Sequence, residues 1–157
     1  MTAHAVIRQV VPAGVEPTFD LIHDYPNRLS WDTLLREAYT VGDVPPAKGV
    51  EAVCTARRRL GGFSFRTRYV TFRRPELAAV VLVGSPPFFA TWAASIRHLP
   101  REDGTSEVVY TLTFTAKPQW LARVIEPVAL RAFRLETRRR LRALAAHLAL
   151  QPAAGER

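Results

Sequence analysis

The sequence holds one cysteine, Cys54, which excludes an internal disulfide and cannot hold a metal alone. Its four histidines, His4, His23, His98 and His147, are scattered, and no pair has metal-ligand or catalytic-triad spacing. Neither a metal nor a cofactor is expected. No apolar run approaches the ~20 residues that a membrane-crossing helix requires; Leu77–Gly84 is among the longest. The start, Met1–Arg8, lacks a basic leader followed by an apolar stretch, so a cytoplasmic location is expected. There is no internal repeat, no low-complexity tract and no Gly/Ser linker. Lysine is scarce: of 22 basic residues only Lys48 and Lys117 are lysines.

What remains is 157 residues with 48% apolar and 23% charged side chains, the composition of one globular domain. A single domain over residues 1–157, with an ordered core from about 4 to 150, follows. The net charge of +8 is carried almost wholly by arginine. It fits a polyanionic partner or an anionic membrane surface, and equally the arginine bias of a GC-rich coding sequence.

Turn signals recur every 8–12 residues: Gly42–Gly49, Leu60-Gly61-Gly62, Arg74-Pro75-Glu76, Gly84-Ser85-Pro86-Pro87 and Glu102-Asp103-Gly104. Such short connections join antiparallel neighbours, because parallel strands need longer crossovers. The clearest strand, Ser106–Ala116, alternates Val108, Tyr110, Leu112 and Phe114 with Val109, Thr111, Thr113 and Thr115. Phe89–Leu99 separates Trp92, Ala94 and Ile96 from Thr91, Ser95 and Arg97. In Phe63–Arg73 the alternation sets Phe63, Phe65, Thr67 and Tyr69 against Ser64, Arg66, Arg68, Val70 and Phe72. Val50–Arg59 places Ala52, Cys54 and Ala56 opposite Glu51, Thr55 and Arg57, and Leu77–Val83 is apolar on both faces.

Helical patterns bracket the strands. After an opening strand, Ala5–Val11, the segment Val15–His23 aligns Val15, Phe19 and Ile22, and Pro26–Leu34 reads as a further short turn or helix. Near the end, Leu130, Phe133, Thr137, Leu141, Leu144 and Leu148 step by 3 and 4 along one helical face. Pro127 suits a first turn, so a new helix or a kink is expected there, with a helix from Pro127 to Leu150 roughly 36 Å long. A one-faced antiparallel sheet must cover its apolar side, and only this helix is long enough. The fold class is α+β: a curved antiparallel sheet of about seven strands wrapped around a long C-terminal helix, with one or two short helices after the first strand.

In this order of elements the chain resembles the START-like, helix-grip superfamily of polyketide cyclases/dehydrases and lipid transporters. The resemblance runs from about His4 to Leu150. It rests on Pro12–Pro26 followed by Trp31-Asp32, on Thr91-Trp92…Leu99-Pro100 with Asp103-Gly104-Thr105 and Val108-Val109-Tyr110, and on the long last helix. Phe65-Arg66-Thr67-Arg68 and Gly84–Phe88…Trp92 look most like the coenzyme-Q-binding branch. The resemblance implies a deep cavity between sheet and helix that holds an apolar small molecule.

The inward faces would then supply Phe65, Thr67, Tyr69, Trp92, Tyr110, Leu112 and Phe114, answered from the helix by Phe133 and Thr137. Aromatic walls with a few hydroxyls suit a flat apolar ligand, although the same residues also make an ordinary core. The expected function is a binding or carrier protein for a quinone, lipid or polyketide-like aromatic. An aromatase/cyclase-type enzyme is the alternative, and it needs an arginine and a tyrosine on the cavity wall. Arg66 or Arg68 beside Tyr69 would serve, but both arginines fall on the opposite face and would need a bulge to turn inward. The span 119–150 carries seven arginines against Glu126 and Glu136, a surplus of five. Arg131, Arg134, Arg138 and Arg142 line one flank of the helix. That flank fits solvent, an anionic membrane, or, as a further alternative, RNA or the ribosome.

Overall fold

The computed structural model describes residues 2–151. Strand β1 (Ala3–Val11) leads into helix α1 (Val15–Ile22) and a 3-10 turn (Tyr25–Ser30). Six strands follow as a meander: β2 (Leu35–Thr40), β3 (Glu51–Ala56), β4 (Ser64–Arg73), β5 (Leu77–Leu82), β6 (Phe89–Pro100) and β7 (Ser106–Ala116). Helix α2 (Gln119–Leu150) closes the fold. All seven strands form one antiparallel sheet in the order β1-β7-β6-β5-β4-β3-β2, so only the pairing of β1 with β7 joins distant parts of the chain. This is the expected helix-grip architecture. The strand β2 is the element whose limits the alternation did not mark, because Leu35, Arg36, Glu37 and Ala38 carry no period of two.

The helix begins earlier than expected and runs unbroken past Pro127. Thirty-two residues at 1.5 Å rise give about 48 Å. Pro127 cannot donate to the carbonyl of Arg123, but both residues are exposed, where water replaces the lost bond. The neighbouring Glu126 is buried, and its Oε1 accepts a hydrogen bond from the Ala116 amide at 3.1 Å. That bond ties the first half of the helix to the end of β7.

Along its length α2 does two different things. Leu141, Leu144 and Leu148 join Ala3, Ala5 and Ile7 of β1 in a solid core. The small Ala3 and Ala5 let the helix approach this end of the sheet closely. Earlier in the helix, large aromatic rings stand between it and the sheet: Phe133 meets Phe114 at 5.4 Å, Phe89 at 5.8 Å and Phe65 at 6.3 Å. Rings of this size hold the helix off β4–β6, and a hollow is left between them.

One strand phase differs from the alternation. The β4–β5 register slips between Tyr69 and Thr71, a bulge that puts an extra residue into β4. Phe72 therefore turns to the same side as Tyr69, 5.3 Å away in an edge-on contact, and packs on Phe19 at 5.2 Å. The bulge lies beyond Arg66 and Arg68, which stay outside as expected and pair with Glu51. Arg131, Arg134, Arg138 and Arg142 are all exposed. Among the described residues no helix is long and apolar enough to cross a membrane.

Candidate functional site

The hollow between sheet and helix is a cavity of about 300 Å³. Its side walls come from β4–β7 and its cover from α2. Leu60, Phe63 and Ala132, partly or fully exposed, place its mouth at the β3–β4 connection and the near turn of the helix. Eight of the nine expected lining residues, Phe65, Thr67, Tyr69, Trp92, Tyr110, Leu112, Phe133 and Thr137, do line it. Phe114 does not reach it. That ring is fully buried behind the wall, 5.6 Å from Phe89 and 5.4 Å from Phe133, because β7 there runs beneath the helix contact.

The wall is apolar and aromatic at its centre. Phe65 stacks on Trp92 at 5.6 Å with their planes only 14° apart, a parallel pair that suits a flat guest. Three buried polar atoms of the lining residues have no partner within the protein: the Trp92 Nε1–H, His23 Nε2 and Glu136 Oε2.

The polar functions gather beyond that aromatic centre, and the sequence reading missed most of them. Arg28, from the 3-10 turn, and Arg140, from α2, both line the cavity. Asp32 is 1% exposed and holds both. Arg28 Nε donates to Asp32 Oδ2 at 2.8 Å, and Arg140 donates from Nε at 3.0 and 3.2 Å and from Nη2 at 2.9 Å. A second guanidinium nitrogen of Arg28 donates to the Ile22 carbonyl at 2.6 Å. Arg28 also lies over the Trp31 ring, 5.0 Å from its centroid, and Arg140 over that of Tyr110 at 5.9 Å. Burial alone would raise the Asp32 pKa, but Arg140 and Arg28 outweigh it and hold the carboxyl at about 2. Two guanidiniums against one carboxylate leave one positive charge facing the cavity.

Beside this triad Tyr69 is the hub of a hydrogen-bonded chain. Its hydroxyl lies 2.8 Å from His23 Nδ1 and 2.7 Å from the Tyr25 hydroxyl. Burial, with help from Arg28 and His98, holds the His23 pKa down at about 3, so the imidazole is neutral. Burial likewise pushes Tyr25 up to about 12 and Tyr69 well above its ordinary value. Asp24, next to His23 in sequence, turns away and accepts from Asn27 instead. The chain Tyr25–Tyr69–His23 is thus uncharged, with its proton positions free to rearrange.

A local signal for Arg28 and Asp32 existed in their i,i+4 spacing. Nothing local marks Arg140, which sits among six other arginines of the helix and is distinguished only by facing the same side as Phe133 and Thr137. Cys54 lines the cavity too, its thiol pKa raised by burial. No group of three or more potential metal ligands occurs among the described residues.

Comparison with known proteins bears on this arrangement. Residues 2–149 match the family model described as polyketide cyclase/dehydrase and lipid transport. The chain belongs to that family. No curated protein matches the sequence. Among solved structures, the Zhui aromatase/cyclase of a Streptomyces species superposes with a TM-score of 0.77 at 12% identity, over 100% of both chains. The di-domain ARO/CYC protein BexL gives 0.76 at 15% identity, over 94% of this chain and 46% of that one, so this chain spans about half of BexL. A START superfamily protein from Mycobacterium smegmatis gives 0.73 at 14% identity, over 94% and 97%. These likenesses establish the shared fold.

Proposed function

We propose that this family member binds a flat, largely apolar small molecule of the polyketide-aromatic kind in the cavity between sheet and helix. The observation that carries the reading is an aromatic hollow of about 300 Å³ whose polar groups are concentrated in the Arg28–Asp32–Arg140 and Tyr25–Tyr69–His23 clusters. Removing apolar ligand surface from water drives association at about 25 cal/mol per Å². The guanidiniums and phenols orient the ligand by its oxygen atoms. A quinone or lipid would use the same apolar wall and satisfy the same donors.

Native mass spectrometry after mild purification, with thermal shifts across flat aromatics, quinones and lipids, tests this reading. A bound mass or a raised melting temperature is expected, and neither with any probe would overturn it. Ala94 is 6% exposed and lines the wall between Trp92 and Ile96. Ala94→Phe fills part of the hollow, so it is expected to reduce affinity for every flat probe by at least tenfold. Overpacking a well-fitted core costs about 1–3 kcal/mol, whereas an empty hollow absorbs the ring with less. Unchanged affinity in a folded Ala94→Phe protein would place the guest elsewhere.

A second reading, an aromatase/cyclase-type enzyme, is favoured by one specific observation. An arginine and a tyrosine do share the wall: Arg140 with Tyr110, and Arg28 with Tyr25 at 5.9 Å. They come from the turn and the helix, not from β4. In such a reaction an enol carbon of a poly-β-ketone attacks a ketone carbon of the same chain. The ketone oxygen gains a proton and later leaves as water. The arginine charge would stabilise the developing oxyanion, and the neutral phenol–imidazole chain would move the proton. Incubation with a poly-β-ketone made in situ by a polyketide synthase separates the readings. A changed ring pattern that Arg140→Met abolishes supports catalysis; an unchanged product mixture leaves binding alone.

A further inference from the structure

The free carboxylate oxygen of Glu136 narrows the ligand class, on the premise that the cavity is a binding site. Glu136 is 8% exposed and faces the cavity from the middle of α2. One of its oxygens, Oε1, accepts from Arg139 at 2.8 Å. The other, Oε2, is buried without a partner. Arg140, four residues on and on the same side, would be the usual helical partner for a glutamate. It is committed instead to Asp32, through three contacts of 2.9–3.2 Å. The local folding of the triad thus leaves a buried acceptor bare.

A bare carboxylate oxygen in an apolar hollow is unfavourable unless a donor meets it, and a charged acceptor gains more from a donor than a neutral one does. Of the other cavity-facing polar groups, the hydroxyls of Thr67, Thr137 and the tyrosines and the bare His23 Nε2 can act either way, whereas a carboxylate only accepts. Arg28, Arg140 and the unpartnered Trp92 indole N–H are all donors, and they suit carbonyl oxygens. Trp92 lies 6.4 Å from Phe133, which is one helical turn from Glu136. The cavity lining therefore includes a residue with a bare donor, Trp92, and one with a bare acceptor, Glu136.

We propose that Glu136 Oε2 accepts a hydrogen bond from a ligand hydroxyl, so that the guest is a hydroxylated flat aromatic and not a quinone. A quinone has only acceptor oxygens; it would satisfy Trp92 and the arginines and leave Glu136 bare. A phenol or enol supplies the missing donor and still offers an oxygen to the indole N–H.

Equilibrium dialysis with 2-naphthol and 2-methoxynaphthalene tests the assignment, because the pair keeps ring and oxygen and differs in the donor. The wild-type protein is expected to bind 2-naphthol at least about tenfold more tightly. In Glu136→Leu that preference should fall to within about threefold, and Glu136→Gln, whose carbonyl still accepts, should keep an intermediate preference. The difference between the two ratios isolates the pairwise contact. Equal binding of both probes by wild type, or an unchanged preference in Glu136→Leu, overturns the role of Glu136 while leaving the cavity a binding site. Failure of both probes to bind wild type overturns this assignment together with the reading it rests on. If Glu136→Leu does not fold, the Gln variant decides: a preference kept in part or in full supports the acceptor role, and its complete loss overturns it.

Discussion

Lowering the pH from 7 to 4 is expected to remove about 6 kcal/mol of folding stability, mostly through two buried histidines. His23 and His98 are 7% and 3% exposed, and burial holds their pKa values at about 3 and about 4. In the unfolded chain both titrate near 6.5. Between those values the unfolded state binds more protons, so stability falls as pH drops below about 6.5. At 1.36 kcal/mol per unit, each histidine forfeits about 3 kcal/mol by pH 4. Their sum is comparable with the whole stability of an ordinary domain, so the protein should unfold in mild acid. The Asp32 carboxylate, held at about 2, adds a loss of about 2 kcal/mol only below pH 4. Urea titrations at a series of pH values measure the slope. The His98 ring has no hydrogen-bond partner on either nitrogen and rests edge-on against Phe19 at 5.4 Å. His98→Phe is therefore expected to halve the acid sensitivity and to leave stability at pH 7 unchanged or raised. A slope identical to wild type would assign the titration to other groups.

The second large effect concerns Asp32. Asp32→Asn leaves Arg28 and Arg140 facing each other inside the fold with no counter-charge. Removing one partner of a buried ion pair costs about 3–5 kcal/mol, and here one carboxylate serves two cations. Guanidinium denaturation should show a loss of at least that size, or no folded protein at all. The triple change Arg28→Met, Asp32→Leu and Arg140→Met removes the charges together and should recover most of the stability, since apolar replacement of a whole buried ionic cluster is often neutral or better. The recovered protein should bind oxygen-bearing aromatics poorly while retaining apolar ones. A triple variant less stable than Asp32→Asn would mean that the triad sustains the fold beyond balancing its own charge.

Most of the architecture was legible because its determinants are periodic. The alternation in Ser106–Ala116 and the 3,4 stepping from Leu130 to Leu148 identify faces directly, and turn spacing limits the topology. The exceptions were places where a non-local contact overrides the local pattern. The β4 bulge after Tyr69 moves Phe72 inward to meet Phe19. The buried Glu126 carboxylate secures a helix start that precedes Pro127. Strand β2 is held by its ladder to β3, and its own residues alternate too little to reveal it.

The candidate site divided along the same line. Its apolar lining was readable from strand phase, save Phe114, whose phase is right but whose depth depends on the helix above it. The charged triad was unreadable, because Arg28, Asp32 and Arg140 converge through folding, the last two standing 108 positions apart in sequence. Glu136 shows why charge counting along the helix misleads. It offsets the helix arginines in a sum of charges, yet only one of its oxygens pairs with an arginine, Arg139, and the side chain lines the hollow.

The asymmetric seating of α2 has a mechanical result. The helix is anchored on the β1–β7 side by leucines over alanines, while β3–β5 form a wing that α2 does not pack against closely. Amide hydrogens of Ala52–Thr55 and Phe65–Tyr69 should consequently exchange faster than those of Ala5 or Leu112, and a guest wedged beneath the wing should slow them. The fold's grip is that of a hinge with one pinned leaf, and whatever occupies the gap becomes the other pin.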